Sequence, residues 1–267
     1  MLNARLVSLA AAAASLSMPA LAQDFVPHRA AYSVNTLERG RTGGNAGSYA
    51  YELRLTCDGY IINQRLRLEV SGGREVVVSE QQSQMSESRD GRRLKFEHRN
   101  TANGRASGTV KGEALLEDDG RGQSRFTDPE GRSVPLPTGT LFPVAISRAT
   151  IQHAKAGDSG FDALFFFGDK VKAPQAVNVL IGKVPKRLVD LAIPEGAEAL
   201  VSGRDRIYFR GGFFDADPGS KGDQATFEMS SLTLDNGIEL YGTHEETDGG
   251  IEYRITRLEA LPRPTCN

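Results

Sequence analysis

Tryptophan is missing from the 267-residue chain, and cysteine occurs only twice. So few cysteines exclude a disulfide-dense miniprotein, and 39% hydrophobic with 25% charged residues excludes a disordered tail. An excess of one charge is missing too: 32 basic residues face 34 acidic ones, for a formal net charge of −2. Affinity for nucleic acid comes mainly from accumulated Lys and Arg, so nucleic acid is not expected as a partner. After the first residues, no run is apolar enough to span a bilayer, which takes roughly 20 residues of helix.

The beginning of the chain has a compartment signature. Met1 to Arg5 is a short basic start, Leu6 to Leu16 is rich in Ala and Leu, and Ala20-Leu21-Ala22 offers small residues before Gln23. This pattern predicts a cleaved secretory signal over 1–22 and a single soluble, exported domain over 23–267. Gln23 stands where a lipoprotein would need Cys. An oxidising compartment turns an isolated pair of cysteines into a crosslink, so Cys57 and Cys266 are expected to be bonded. Cys57 follows the alternating run Tyr49, Tyr51, Leu53 and Leu55, which places it on the inward face of a strand. The bond would then tie the last strand to an early one. A redox-active dithiol would want its sulfurs close in sequence, and these are not.

Period-two alternation between turn residues dominates the rest. Leu66, Leu68 and Val70 precede Ser71-Gly72-Gly73, and Glu75 to Val78 resumes the strand. Asp90-Gly91, Asp119-Gly120, Asp235-Asn236-Gly237 and Asp248-Gly249-Gly250 punctuate further runs in the same way. Such turns supply positive φ at low steric cost, so successive strands are read as antiparallel neighbours in a long meander. Strands are also read at Phe161 to Phe167, Ala176 to Ile181 and Ile207 to Phe214. The one helix predicted covers Leu141 to Ala156, with Pro143 in its first turn and Gly157 past its end. Leu141, Val144, Ala145, Arg148, Ala149, Gln152 and Ala156 share its expected stripe. The resulting fold class is all-β: a meander curled into a β-spiral or open barrel, with one amphipathic helix plugging or capping it.

The search for catalytic chemistry is mostly negative. Gly157-Asp158-Ser159-Gly160 resembles a serine nucleophile loop, but the nearest base, His153, lies six residues upstream in the predicted helix. A helix C-cap and turn explains the same letters. His244-Glu245-Glu246 sits in a predicted strand and lacks the second His of a zinc site. Asp215, Asp217 and Asp223 resemble a calcium loop, yet Thr226 stands where the bidentate Glu belongs. Arg89, Arg92, Arg93, Lys95 and Arg99 alternate with Glu87, Asp90 and Glu97, which reads as a solvated hairpin edge. No metal or cofactor is expected.

Four landmarks carry a family resemblance: Leu55-Thr56-Cys57-Asp58-Gly59-Tyr60, Leu136-Pro137-x-Gly139-Thr140-Leu141-Phe142-Pro143, Phe166-Phe167-Gly168-Asp169, and the penultimate Cys266. Together they resemble the EipB-type cell envelope integrity proteins over essentially the whole mature chain. The resemblance implies a periplasmic β-spiral around a helix, with a disulfide joining early and late strands, and support of the envelope in Gram-negative cells. It brings no enzymatic activity, and it implies a periplasmic tetratricopeptide-repeat protein as partner. Two functions follow as expectations. The first is a non-catalytic scaffold. The second is a carrier of a lipid or other envelope amphiphile, motivated by Phe165, Phe166, Phe167, Phe213 and Phe214, although these rings serve equally well as core.

Overall fold

The computed structural model describes residues 25–38, 40–72, 75–215 and 224–266. The expected signal segment, Asp217 and Asp223 lie outside these residues. Fifteen strands and three helices follow one another among the described residues. The first eight strands are β1 (His28–Glu38), β2 (Arg41–Leu55), β3 (Gly59–Gly72), β4 (Glu75–Ser88), β5 (Arg93–Ala102), β6 (Arg105–Leu116), β7 (Gly122–Asp128) and β8 (Glu130–Leu136). The short β9 (Thr140–Leu141) leads into helix α1 (Pro143–Ala156), which is followed by β10 (Gly160–Phe165) and β11 (Gln175–Gly182). Helices α2 (Lys186–Val189) and α3 (Glu198–Val201) precede β12 (Arg206–Phe214), β13 (Phe227–Leu234), β14 (Glu239–Glu246) and β15 (Gly249–Ala260).

All fifteen strands join one sheet in the order β8 to β1, then β15 down to β9. Every pairing is antiparallel except β9 with β10, as the Gly-containing turns require. The first and last strands are partners, with His28 to Leu37 facing Ala260 to Gly250. β8 and β9 follow each other in the chain but lie at opposite ends of the sheet. Only residues 137–139 separate them, and a link that short spans at most about 14 Å. The sheet must therefore curl until its ends nearly meet, giving a nearly closed, barrel-like spiral.

Helix α1 lies against the curl, between two packing regions. Val144 and Ile151 join a cluster with Leu53, Tyr60, Ile62, Leu94, Phe96 and Phe126, while Ile146 packs on Val177, Val179 and Phe213. The expected single stripe is corrected by this arrangement: Val144, Thr150 and Ile151 are buried, whereas Gln152 and Ala156 are exposed. A helix gripped from two sides has no single apolar face. Gly157 ends it in the left-handed region, φ 82°, and its N–H donates to the Ala154 carbonyl. The Gly157-Asp158 turn is thus the C-cap that the sequence indicated.

A second departure is the segment between β11 and β12. Helices α2 and α3, four residues each, escaped sequence reading because two short turns show no 3.6-residue period. They bury Leu188 and Val201 against Leu232, Leu234, Ile238 and Leu240. A third concerns the basic hairpin: β4 and β5 are interior strands, and the sheet's edges are β8 and β9. Arg92 pairs with Asp118 at 2.7 Å, Arg99 and Lys111 share Glu97, and Glu87 turns into the core.

Candidate functional site

Cys57 and Cys266 are bonded, with Cα atoms 5.6 Å apart and a sequence separation of 209. Their places differ from the expectation. Cys57 is exposed in the turn after β2, and Cys266 lies in the tail after β15. A run of alternating residues continues by pattern past the point where Cys57-Asp58-Gly59 turns the backbone, so the strand reading overran by two residues. The bond therefore joins a tail to a hairpin turn, across the seam where β1 and β15 unite the two halves of the sheet.

The five phenylalanines divide among separate environments. Phe166 belongs to the cluster around α1, and Phe167 packs beside it with its ring 4.8 Å from His98. Phe165 and Phe213 meet edge-on at 5.7 Å in the neighbouring cluster, where Phe213 stacks on Phe227 at 4.3 Å. Phe214 is half-buried. His153 holds Asp158 at 2.7 Å and stacks on Phe161, and Ser159 is exposed in the turn. His244 stacks on Phe227, and Asp215 pairs with Lys172 at 2.5 Å. Among the described residues, no group of His, Cys, Asp and Glu could hold a metal ion.

Burial shifts Glu87, Glu239 and His28 far from their ordinary ranges. Glu87 of β4 accepts the N–H groups of Val144 and Ala145 at 2.7 and 2.8 Å, so a strand carboxylate caps α1 where Phe142 offers no side-chain cap. Burial pushes its carboxyl up to about 7, against the pull of those N–H groups and of Arg148. Glu239 accepts the hydroxyls of Ser231 and Tyr253, and burial likewise pushes it up to about 7. His28 pairs its Nδ1 with the Val26 carbonyl at 2.7 Å, and burial holds it down at about 4. No sequence signal marked these three, because burial is a property of the closed sheet.

A polar concavity of about 330 Å³ lies over β12 to β15 and is also lined by Leu37, Gly40 and Thr42 of the β1–β2 hairpin, while a larger space of about 580 Å³ lies beside Asp90, Arg92 and Asp118. Residues facing each other across antiparallel strands share a sheet face. One cross-strand row runs Arg210, Ser230, Thr243, Glu252, and the next runs Tyr208, Leu232, Tyr241, Arg254. Helix α2 brings Arg187 over these rows. Arg187 and Arg254 lie on the Tyr241 ring, 5.2 and 5.5 Å from its centre, as cation–π partners. Tyr241 donates its hydroxyl to Glu252 at 2.9 Å, and Glu252 also receives Arg254 at 2.9 Å and Arg187 at 3.5 Å. Burial alone would raise the Glu252 carboxyl, but the Arg254 and Tyr241 hydrogen bonds outweigh it and hold it below the usual range. Burial pushes the Tyr241 hydroxyl up to about 12, so it remains a donor at neutral pH.

The chain matches the EipB-like family over residues 19–254. It belongs to that family. The EipB-like chain is 30% identical over 177 residues to the cell envelope integrity protein EipB of Brucella abortus (strain 2308). That alignment covers 64% of this chain and 62% of the relative's length. A crystal structure of a beta-barrel-like protein of a domain of unknown function from Brucella abortus has the same fold, with a TM-score of 0.76 at 24% identity. The superposition covers 90% of this chain and 99% of the other. The resemblance read from Cys57, the Phe142-Pro143 helix start and Cys266 is thus borne out at the level of family and fold. The polar rows were not legible beforehand: Tyr241, Glu252 and Arg254 meet through strand register, Arg187 reaches them from helix α2, and the four show no motif spacing.

Proposed function

We propose that this EipB-like protein is exported to the periplasm and supports cell envelope integrity there without catalysis, by presenting a rigid sheet to a protein partner. The observation that carries the reading is the family match over residues 19–254, together with a relative named for envelope integrity. The Cys57–Cys266 crosslink supports it, because such bonds persist outside the reducing cytoplasm. A periplasmic tetratricopeptide-repeat protein is the partner proposed.

The test is a chromosomal deletion complemented by the full chain or by a version lacking residues 2–22. Loss of growth on detergent, restored only by the full chain, is the expected outcome. A deletion strain as resistant as its parent, or rescue by the version without its leader, overturns the proposal. Native mass spectrometry of protein taken from an envelope extract then separates the modes of action. A bound protein partner supports the scaffold, and a co-purifying lipid replaces it with a carrier.

A further inference from the structure

We propose that the concavity formed by α2, strands β12 to β15 and the β1–β2 hairpin is a binding site for a small polar ligand bearing an oxyanion, a carboxylate or a phosphate. This goes beyond the envelope reading and does not depend on it. Size and construction come first. A space of about 330 Å³ lies at the small end of the range that small-molecule sites occupy. Its floor is polar and fixed: Tyr241, Glu252, Thr243 and Ser230 are all at most 5% exposed. Each is held by a neighbour, since Ser230 and Thr243 share a hydrogen bond of 2.8 Å and Tyr241 bonds to Glu252.

Charge decides the ligand class. Two guanidinium groups converge on the carboxylate of Glu252, and among the described residues no ion pair joins either of them to Glu245, the other carboxylate of the lining. Arg254 spends its Nε on Glu252 and Arg187 spends Nη1 on Tyr241 and Glu252, so their other N–H groups make no hydrogen bond among the described residues. Both guanidinium groups lie within 5.5 Å of the Tyr241 ring centre, and a guanidinium with a free N–H fork is shaped for oxyanions. Arg210 at the rim is already paired with Glu228 at 2.7 Å. Glu245 also lines the space and takes the Thr243 hydroxyl at 3.3 Å, so it repels a bare anion but accepts a donor. The ligand that satisfies all of these groups carries an oxyanion toward Arg187 and Arg254 and a hydroxyl or amine toward Glu245.

The test uses the whole mature protein with two probes, gluconate and inorganic phosphate, against sodium chloride at equal ionic strength. A saturable rise in melting temperature with either probe is expected. Gluconate alone would assign a carboxylate ligand, and phosphate alone a phosphate ligand. Arg187→Gln should weaken the response about tenfold or more, the effect of losing one charge-assisted hydrogen bond, and Arg187→Lys should restore it only in part. Arg121→Gln, on an arginine paired with Asp119 far along the chain, should leave the response unchanged. Amide shifts in the unaltered protein provide a readout that needs no variant. Shifts centred on Ser230, Thr243 and Arg254 support the site. No saturable response to either probe, shifts centred elsewhere, or an undiminished response in Arg187→Gln overturns it.

Discussion

Replacing Cys57 and Cys266 by Ser tests the seam between the two halves of the sheet. The bond closes 209 positions of chain. In the chain-entropy treatment, a loop of this size restricts the unfolded ensemble by about 5 kcal/mol, an upper value because real denatured chains are already compact. Measured disulfides of this kind fall nearer 2–4 kcal/mol, which for a domain of this length corresponds to a melting temperature lower by about 5–15 °C. Little of the loss should come from broken contacts, since both cysteines are exposed and the β1–β15 ladder from His28 to Leu37 stays intact. The assay is thermal unfolding of the native protein and the double Ser variant, each with and without reductant. The native protein with reductant should melt with the variant, and the variant should ignore reductant. Equal melting of oxidised and reduced native protein would refute the reasoning.

Stability should also depend on pH through the buried acids. Glu87 and Glu239 have folded values near 7, above their ordinary range, so the folded protein holds their protons longer than the unfolded chain does. Their contribution is fully present below about pH 4.5 and is lost as pH rises through 7, by roughly 3 kcal/mol for each group. His28 works in the opposite sense: held at about 4, it contributes above pH 6.5 and that contribution is lost as pH falls toward 4. Urea unfolding at pH 5 and pH 8 should show a smaller drop for Glu239→Gln than for the native protein, and parallel curves would contradict the assignment. Gly242→Ala should cost about 1–3 kcal/mol, because a Cβ there would meet the Tyr253 ring at 2.2 Å. Gly44→Ala, with nothing within 4 Å, should change denaturant stability by less than about 1 kcal/mol.

The turns were the most legible part of the chain. Asp90-Gly91, Asp119-Gly120 and Asn236-Gly237 each sit between paired strands, with Gly91, Gly120 and Gly237 at positive φ as the hairpins demand. Helix α1 was legible by its ends, Pro143 and Gly157, but not by its face, since burial on two sides erases a single stripe. The strand reading at Cys57 failed for a local reason, because alternation says nothing about where a turn begins. The wider misses were long-range. That β1 would pair with β15, that Glu87 would reach the first turn of α1, and that Arg187 would stack on Tyr241 are consequences of closure, with partners 54 to 232 positions apart that no window of sequence contains.

The order of the sheet makes the chain a ring interrupted at its ends. First and last strands are partners, the tail is fastened beside them, and among the described residues the one link between consecutive strands that are not neighbours in the sheet is the exposed 137–139. If the two termini were spliced and the backbone reopened at Thr138, the strands would run in simple succession from β9 through β15 and β1 to β8. Such a circular permutant keeps every ladder of the original, so the architecture belongs to the cycle of strands and is indifferent to where synthesis starts.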